Sequence, residues 1–150
     1  MFNILVVCTA NICRSPAAES FLRLALKDAQ VNVHSAGTLA IDGNPADAMI
    51  QALMHERGHQ NLPKHRSKAL LPSHISKYQL LLCMENSHLA YIQKTNMSSV
   101  GKTMLLGHWS NAQEVADPVG QARANYEQAL VTIENFSTQW AKKIIDLGMA

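Results

Sequence analysis

Apolar positions along this chain alternate between short continuous runs and longer stretches with helical spacing. Residues 4–7 form the run Ile-Leu-Val-Val, typical of a central strand that is buried on both faces of a sheet. Over residues 16–29 the apolar side chains instead recur every three or four positions, which predicts an amphipathic helix. The alternation continues, and it predicts strands over residues 31–36, 78–84 and 102–106 and helices over residues 45–57, 87–94 and from 122 onward.

Two of these helices carry further signals. Gly58 directly follows residues 45–57 and is a favourable residue for ending a helix. The last helix has one apolar face, formed by Tyr126, Leu130, Ile133, Phe136, Trp140 and Ile144. Alternating strands and helices predict an α/β fold in three layers, a four-stranded parallel sheet between helices, as one domain over residues 1–150. Ligands of such sheets bind beyond the carboxyl ends of the strands.

Composition narrows the possible functions. The 150 residues are 47% apolar and 16% charged, with a net charge of +2, which is too small to indicate binding to nucleic acid or to a membrane surface. No apolar run approaches the roughly 20 residues of a membrane span, and the amino terminus lacks the basic flank of a signal peptide. Three cysteines, an odd and low number, argue against a disulfide framework and favour a reducing cytoplasm.

The loop after the first strand carries the strongest chemical signal. Cys8 ends the apolar run, and Arg14, Ser15 and Pro16 follow, so we expect Ser15 to cap the next helix and Pro16 to open it. A strand, a loop and a helix in this order direct backbone N–H groups and a helix dipole into one cup, which suits a tetrahedral anion. The positive potential favours a thiolate, and the Arg14 fork can bind two phosphate oxygens. The loop therefore predicts phosphoryl transfer through Cys8.

Residues 7–16 (VCTANICRSP) resemble the signature loop of the low-molecular-weight protein tyrosine phosphatases, in which a cysteine, five residues and Arg-Ser-Pro follow one another. Four other segments follow in that family's order and approximate spacing, so the resemblance covers nearly the whole chain: Ala18-Glu19, Ser35-Ala36-Gly37, Leu82-Cys83-Met84-Glu85 and Asp117-Pro118. Residues 104–109 (MLLGHW) resemble the bacterial branch that is associated with capsule and exopolysaccharide export.

The resemblance implies the phosphatase I form of the flavodoxin-like fold and an enzyme that hydrolyses phosphotyrosine without metal or cofactor. Cys8 is then the nucleophile, Arg14 binds the phosphate and the transition state, and Asp117 is the general acid and base. The implied phosphate-binding loop consists of Cys8, Thr9, Ala10, Asn11, Ile12, Cys13, Arg14 and Ser15. The implied substrate is a phosphotyrosine protein, such as a bacterial tyrosine autokinase, and phosphate and other oxyanions should inhibit.

Supporting roles follow from the same resemblance. Asn11 tolerates a left-handed backbone, and in the family its side chain helps to hold the loop open in a network that includes Ser35. The Ser15 hydroxyl is a candidate to hydrogen-bond the nucleophilic sulfur. His65 lies near the position of a family histidine that supports the loop. Cys13 is a redox candidate, because in the family a cysteine at this position can form a reversible disulfide with the nucleophile.

The chain departs from the family pattern in two places. Ala10 stands where glycine is frequent, so we expect a negative φ there or a slightly strained loop. Val119-Gly120 follows the Asp-Pro pair where an aromatic residue usually walls the phosphotyrosine ring, which predicts a lower wall and weaker selectivity for aromatic substrates. Leu39 and Ile41 are candidates for the other wall. Cys83 lies in an apolar strand, where we expect it to be part of the core.

Three other functions compete with this interpretation. Arsenate reductases share the fold but need two further cysteines as a thiol relay, and no cysteine follows Cys83. Protein arginine phosphatases carry threonine at the position of Ile12, and the larger aliphatic side chain should favour phosphotyrosine. A non-catalytic module would use Cys8 and Cys13 for redox sensing, or the loop for phosphate binding.

Overall fold

A computed structural model describes all 150 residues of the chain. Four parallel strands form one sheet in the order β2-β1-β3-β4. The strands are β1 (Phe2–Cys8), β2 (Val31–Gly37), β3 (Leu80–Cys83) and β4 (Thr103–Leu105). The helices are α1 (Arg14–Ala25), α2 (Ala48–Glu56), α3 (Pro72–Ile75), α4 (Asn86–Thr95) and α5 (Arg123–Asp146), with short 3-10 helices at Leu62–Lys64 and Met97–Lys102. The predicted α/β class and its four strands are confirmed, whereas α3 and the 3-10 helices were not predicted.

The first strand is buried on both faces, as its continuous apolar sequence predicts. Ile4 and Val6 point into the larger core cluster, which α1, α2 and α5 complete. Leu5 and Val7 point the other way, into a smaller cluster that Ile92 of α4 helps to close. Successive side chains of a strand alternate between faces, so one apolar run supplies both layers of the core.

The long terminal helix covers the larger core cluster. All six apolar positions that the sequence assigns to its buried face are buried. The Trp140 indole N–H also donates to the backbone oxygen of Leu105, at 3.2 Å, which ties α5 to the end of β4. None of the helices combines the length and the apolar character that crossing a membrane requires.

The end of β1 occupies the point where the strand order reverses. β1 pairs with β2 on one side, where Cys8 lies opposite Gly37, and with β3 on the other, where Val7 lies opposite Cys83. The connections leave in opposite directions, which opens a crevice at the carboxyl end of β1. Residues 9–13 turn through this crevice before α1 begins at Arg14.

The start of α1 differs from the prediction. The helix begins at Arg14 with Cys13 at the cap position and no side-chain cap, so Ser15 does not cap it, and Pro16 lies within the first turn. The Ser15 hydroxyl instead bonds within the loop, to Cys8 and Asn11. Pro16 is tolerated there because the first-turn N–H groups have no partner within a helix.

Gly37, which ends β2, packs directly against this loop. A Cβ atom at this position would lie 2.4 Å from the Thr9 backbone oxygen and 2.9 Å from the Asn11 backbone nitrogen. Backbone atoms cannot move aside as a flexible side chain can, so any side chain at this position would displace the loop.

We therefore expect Gly37→Ala to lower the free energy of unfolding by about 2 kcal/mol through overpacking. Gly101→Ala is the matched control, because a Cβ atom there meets nothing within 4 Å and its φ is not positive. That variant should stay within about 0.5 kcal/mol of the unmodified protein. Urea denaturation measures both, and equal effects would contradict the close packing of Gly37.

Candidate active site

The loop between β1 and α1 presents a row of free backbone donors. None of the N–H groups of residues 9–13 donates a hydrogen bond to a backbone or side-chain acceptor of the protein. Backbone N–H groups rarely stay unpaired in folded proteins. Five consecutive free donors at a helix N-terminus form a site for an oxyanion.

A small cavity of about 60 Å³ opens at this loop. It is lined by Cys8, Ala10, Ile12, Cys13, Arg14, Asp117 and Val119. The structure thus brings together the three residues that the sequence analysis assigns to catalysis, although Asp117 lies far along the chain. The loop residues Thr9, Asn11 and Ser15 surround the cavity but are absent from its lining.

Asn11 holds the loop in shape. Its φ of 58° is left-handed, and it is fully buried. The side-chain amide donates to the hydroxyls of Ser15, at 2.8 Å, and Ser35, at 2.9 Å, and its oxygen accepts from the Lys68 backbone N–H at 2.9 Å. Because a backbone N–H can only donate, this last bond fixes the orientation of the amide. Ala10 does not have a positive φ, so the expectation of a negative φ at this position is confirmed and the strained alternative does not apply.

The imidazole of His65 forms a further contact to this residue, because its Nε2 lies 2.7 Å from the Asn11 backbone oxygen. Ser35 and His65 therefore both contact Asn11 on the buried side of the loop, and their supporting role stays a prediction. Ser35 in turn donates to the Glu19 carboxylate. These supports come from α1, β2 and the segment after α2, which the chain brings together only on folding.

The hydrogen bonds of Ser15 have a definite direction. Its hydroxyl accepts from the Asn11 amide, which leaves its own proton free for Cys8 Sγ, at 2.9 Å. A donor at this distance stabilises a sulfur that carries negative charge. Cys8 itself is 3% exposed, at the base of the cavity.

Arg14 is anchored through one of its two terminal nitrogens. Nη1 donates to the Glu85 carboxylate at 2.5 Å and to the Val115 backbone oxygen at 2.8 Å. Nε and Nη2 make no hydrogen bond, and the nearest carboxylate oxygen of Asp117 lies 3.9 Å from Nη2. The edge of the guanidinium that can bind two oxyanion oxygens therefore stays available.

Glu85 and His88 contact the phosphate-binding loop, but the sequence analysis gave Glu85 no role beyond its place in a family segment and did not single out His88. Glu85 precedes α4, and its carboxylate accepts from the His88 backbone N–H while the His88 ring accepts from the Glu85 N–H. The other ring nitrogen of His88 lies 2.9 Å from the Thr9 hydroxyl. The spacing Glu-x-x-His at a helix start, directly after an apolar strand, was the available signal.

The contacts of His88 define its tautomer. Nδ1 accepts a hydrogen bond from a backbone N–H, so the proton of the neutral ring is on Nε2 and is donated to Thr9. Burial lowers the pKa of His88, and the Arg14 guanidinium lowers it further, against the opposing charges of Glu85 and other carboxylates. The neutral ring is therefore the form that links the phosphate-binding loop to α4.

Asp117 lies on the exposed segment that precedes α5. Its side chain is 49% exposed, and Oδ1 accepts from the Val119 backbone N–H at 3.1 Å. This turn directs the carboxylate toward the cavity that Cys8 and Arg14 line. A carboxyl group that touches both the cavity and solvent can exchange a proton with either.

The walls of the cavity are aliphatic. Ile12 and Val119 contribute apolar side chains to its lining, whereas Leu39 and Ile41 are largely exposed and absent from it, so their role as the other wall stays a prediction. The Leu39 backbone N–H donates to the Thr9 backbone oxygen at 2.9 Å, so the segment that carries these two residues lies beside the phosphate-binding loop. Tyr126 is buried and absent from the cavity lining, and its hydroxyl donates to Asp47.

The other two cysteines are buried thiols, and all three cysteines are free. Burial raises the pKa of Cys13, and the charge of the neighbouring Cys8 raises it further. Burial likewise raises the pKa of Cys83, which lies in β3 as part of the core, as expected. A redox role for Cys13 stays a prediction. No group of three or more His, Cys, Asp or Glu side chains is placed to hold a metal ion.

The contact between Arg14 and Glu85 predicts a specific stability effect. Glu85→Ala leaves the buried Arg14 guanidinium without its carboxylate partner. Because the Glu85 side chain is 33% exposed, we expect the free energy of unfolding to fall by about 2 kcal/mol, less than for a fully buried ion pair. Inorganic phosphate should restore more stability to this variant than to the unmodified protein, because an oxyanion then compensates Arg14. Urea denaturation with and without phosphate measures both effects.

The matched control is Glu114→Ala, which removes a carboxylate that accepts from the Asn86 N–H at the start of the same helix. It should cost about 1 kcal/mol or less, with no extra response to phosphate. If both variants lose the same stability and respond equally to phosphate, Glu85 does not hold Arg14.

His88 predicts a pH dependence. Since the unfolded chain protonates this histidine at a higher pH than the folded chain, its stabilisation is complete above about pH 6.5 and declines as the pH falls below that value. NMR correlation of the ring nitrogens should show a proton on Nε2 and none on Nδ1 at neutral pH. A proton on Nδ1 would contradict the assigned contacts. His88→Asn should remove this part of the acid sensitivity.

Comparisons with known proteins agree with this geometry. The family described as low molecular weight phosphotyrosine protein phosphatase matches residues 3–146. The probable low molecular weight protein-tyrosine-phosphatase AmsI of Erwinia amylovora is 37% identical over 142 residues, which cover 95% of this chain and 96% of that protein.

Two solved structures extend the comparison. Vibrio vulnificus Wzb in complex with benzylphosphonate has a TM-score of 0.89 and 35% identity, and the match covers 95% of this chain and 98% of that one. The YwlE arginine phosphatase from Geobacillus stearothermophilus has a TM-score of 0.91 and 30% identity, and the match covers 99% of this chain and 96% of that one. With its phosphate-binding loop, parallel sheet and full-length matches, this chain belongs to the low molecular weight phosphotyrosine protein phosphatase family.

Proposed function

We propose that residues 1–150 form one protein-tyrosine phosphatase domain that hydrolyses phosphotyrosine through a phosphocysteine intermediate. The observation that carries this proposal is the set of five free backbone donors around a thiol. A phosphoryl group held there lies against the sulfur of Cys8, with the open edge of Arg14 beside it. The proposed steps use only side chains and backbone groups of the chain itself.

The first step transfers the phosphoryl group to sulfur. The Cys8 thiolate attacks phosphorus in line, the S–P bond forms and the P–O bond to tyrosine breaks. A tyrosine oxygen has a pKa near 10 and leaves slowly as an anion, so Asp117 donates a proton to it as it departs. Arg14 and the loop N–H groups stabilise the three equatorial oxygens of the transition state.

The second step hydrolyses the phosphocysteine. Asp117, now a carboxylate, takes a proton from a water molecule that attacks phosphorus, and the S–P bond breaks. The departing thiolate receives the hydrogen bond of the Ser15 hydroxyl, whose direction Asn11 fixes. Phosphate leaves and the cycle closes with the proton on Asp117 restored. Other oxyanions that fit the loop should inhibit competitively.

The aliphatic cavity wall favours a flat, apolar substrate group. Ile12 and Val119 both line the cavity and offer apolar surface to an aromatic ring, although Val119 in place of an aromatic residue gives a lower wall. The Asp117 carboxylate in the same lining is the one acidic group that a phosphoarginine guanidinium would meet there. The similarity to an arginine phosphatase makes phosphoarginine the alternative substrate to test.

For the physiological substrate, we propose a phosphotyrosine protein of the bacterial cytoplasm, with a tyrosine autokinase of polysaccharide export as the leading candidate. Support comes from residues 104–109, from the bacterial relatives AmsI and Wzb, and from the three free thiols, which suit a reducing compartment. The complex of Wzb with benzylphosphonate further supports an aryl oxyanion as the ligand class.

Phosphate release from matched phosphotyrosine and phosphoarginine peptides, with EDTA present, tests the proposed activity. We expect selective release from phosphotyrosine and a loss of at least about a thousandfold in Cys8→Ser. Cys83→Ser is the matched control, since Cys83 lies in the core and is absent from the cavity lining. Release mainly from phosphoarginine would overturn the argument from Ile12, and Cys8-independent release would overturn the mechanism.

The role of Asp117 predicts a dependence on the leaving group. Asp117→Asn should slow turnover of a phosphotyrosine peptide by about a hundredfold or more, because the phenolate must leave without a proton. Turnover of p-nitrophenyl phosphate, whose leaving group is more acidic, should slow far less in the same variant. Asp28→Asn, an exposed carboxylate away from the cavity, should leave both rates unchanged. Equal losses on the two substrates would contradict the assignment of Asp117 as the general acid.

A further inference from the structure

A second concave surface lies on the buried side of the phosphate-binding loop, and only polar side chains line it. Its volume is about 290 Å³, larger than the cavity at Cys8. We call it the basic depression, after its four cationic side chains: Arg23, Lys64, Arg66 and Lys68. It shares no lining residue with the cavity at Cys8.

Most of these cations have no counter-charge. Glu19 is the single carboxylate in the lining, and it is already used by Arg23, at 2.5 Å, and by the Ser35 hydroxyl. The ammonium groups of Lys64 and Lys68 make no hydrogen bond or ion pair. In a chain with a net charge of only +2, this is a local excess of positive charge.

Arg66 adds a third cation without a carboxylate partner. Its guanidinium donates through Nη1 to the backbone oxygens of Pro63 and His65, which steadies it without neutralising it. Its remaining donors, like the two ammonium groups, are free for an anion.

The positive potential acts on a neighbouring histidine. Burial lowers the pKa of His34, and the charges of Arg23 and Lys68 lower it further, against the opposing charge of Glu19. Two of the four cations, Arg23 and Lys68, therefore act together on His34, although burial is the larger cause of its lowered pKa.

The lining also restricts the chemical class of a ligand. With no aliphatic, phenylalanine, tyrosine or tryptophan side chain in the lining, the surface offers nothing on which an acyl chain could pack. Cationic donors at several points of a small volume suit an oxyanion that carries more than one negative charge.

We propose that the basic depression is a second anion site, separate from the catalytic loop, that binds a compact polyphosphate-type oxyanion. The site adjoins the supports of the catalytic loop, because Ser35, His65 and Lys68 line it and each of them also bonds Asn11. A ligand bound there therefore contacts the residues that hold the loop without entering the cavity at Cys8.

Calorimetric titration with tripolyphosphate tests the proposal, with the catalytic cavity first saturated by benzylphosphonate. We expect one tripolyphosphate to bind per chain and Lys64→Gln/Lys68→Gln to weaken its affinity by about tenfold or more, since two charge-assisted contacts are lost. The control Lys94→Gln/Lys142→Gln removes the same charge from α4 and α5, where Lys142 forms only an exposed pair with Asp146. It should change the affinity by less than about twofold.

Two results would overturn the proposal: no tripolyphosphate binding beside benzylphosphonate, or equal weakening in both double variants, which would show only general attraction to a cationic surface. If Lys64→Gln/Lys68→Gln fails to fold, tripolyphosphate is titrated into the unmodified protein, and the amide NMR shifts show where it binds. Perturbations centred on residues 64–68 would support the site, and perturbations confined to residues 8–15 would overturn it. A failure of benzylphosphonate itself to bind would instead contradict the proposed function, in which the catalytic loop is the oxyanion site, and not the second anion site.

Discussion

The left-handed backbone at Asn11 lets the chain turn from β1 into α1 within five residues while its N–H groups stay free for an oxyanion. Such a conformation costs about 1–2 kcal/mol for a residue with a side chain. Three hydrogen bonds of the side chain and one contact of the backbone oxygen offset that cost, since each such bond contributes about 1 kcal/mol. The strand β2 and the segment around Lys68 thus matter to the site because they provide these partners.

A second set of contacts holds the loop from the other side of β1. Glu85 fixes Arg14, and His88 joins the start of α4 to Thr9. Because β1 pairs with β2 on one edge and β3 on the other, the loop at its end is supported from both neighbouring strands. The loop is therefore held by contacts from both sides without a ligand, which suits the preorganisation that electrostatic stabilisation of a transition state requires. Asp117, on an exposed turn, is the group in the cavity lining that can exchange protons with solvent.

Sequence patterns predicted most of the features that depend on neighbouring residues. The continuous apolar run of β1, the periodic face of α5 and the Cys8 to Arg14 loop are local, and the structure has all of them. The helix cap at Ser15 was predicted wrongly, because its hydroxyl bonds to residues of the loop rather than to its own helix. The contacts of Glu85 and His88 were missed because these residues meet Arg14 and Thr9 across 71 and 79 positions, through the pairing of β1 with β3.

The central role of the Asn11 side chain is tested most directly by kcat/KM of Asn11→Gly on a phosphotyrosine peptide. Glycine adopts the left-handed backbone at no steric cost, so this substitution removes the side-chain hydrogen bonds while permitting the same chain path. We expect a loss of about tenfold or more, because small displacements of catalytic groups are costly. An unchanged kcat/KM would show that backbone conformation alone shapes the cradle, and it would contradict the dependence of the site on the Asn11 side chain.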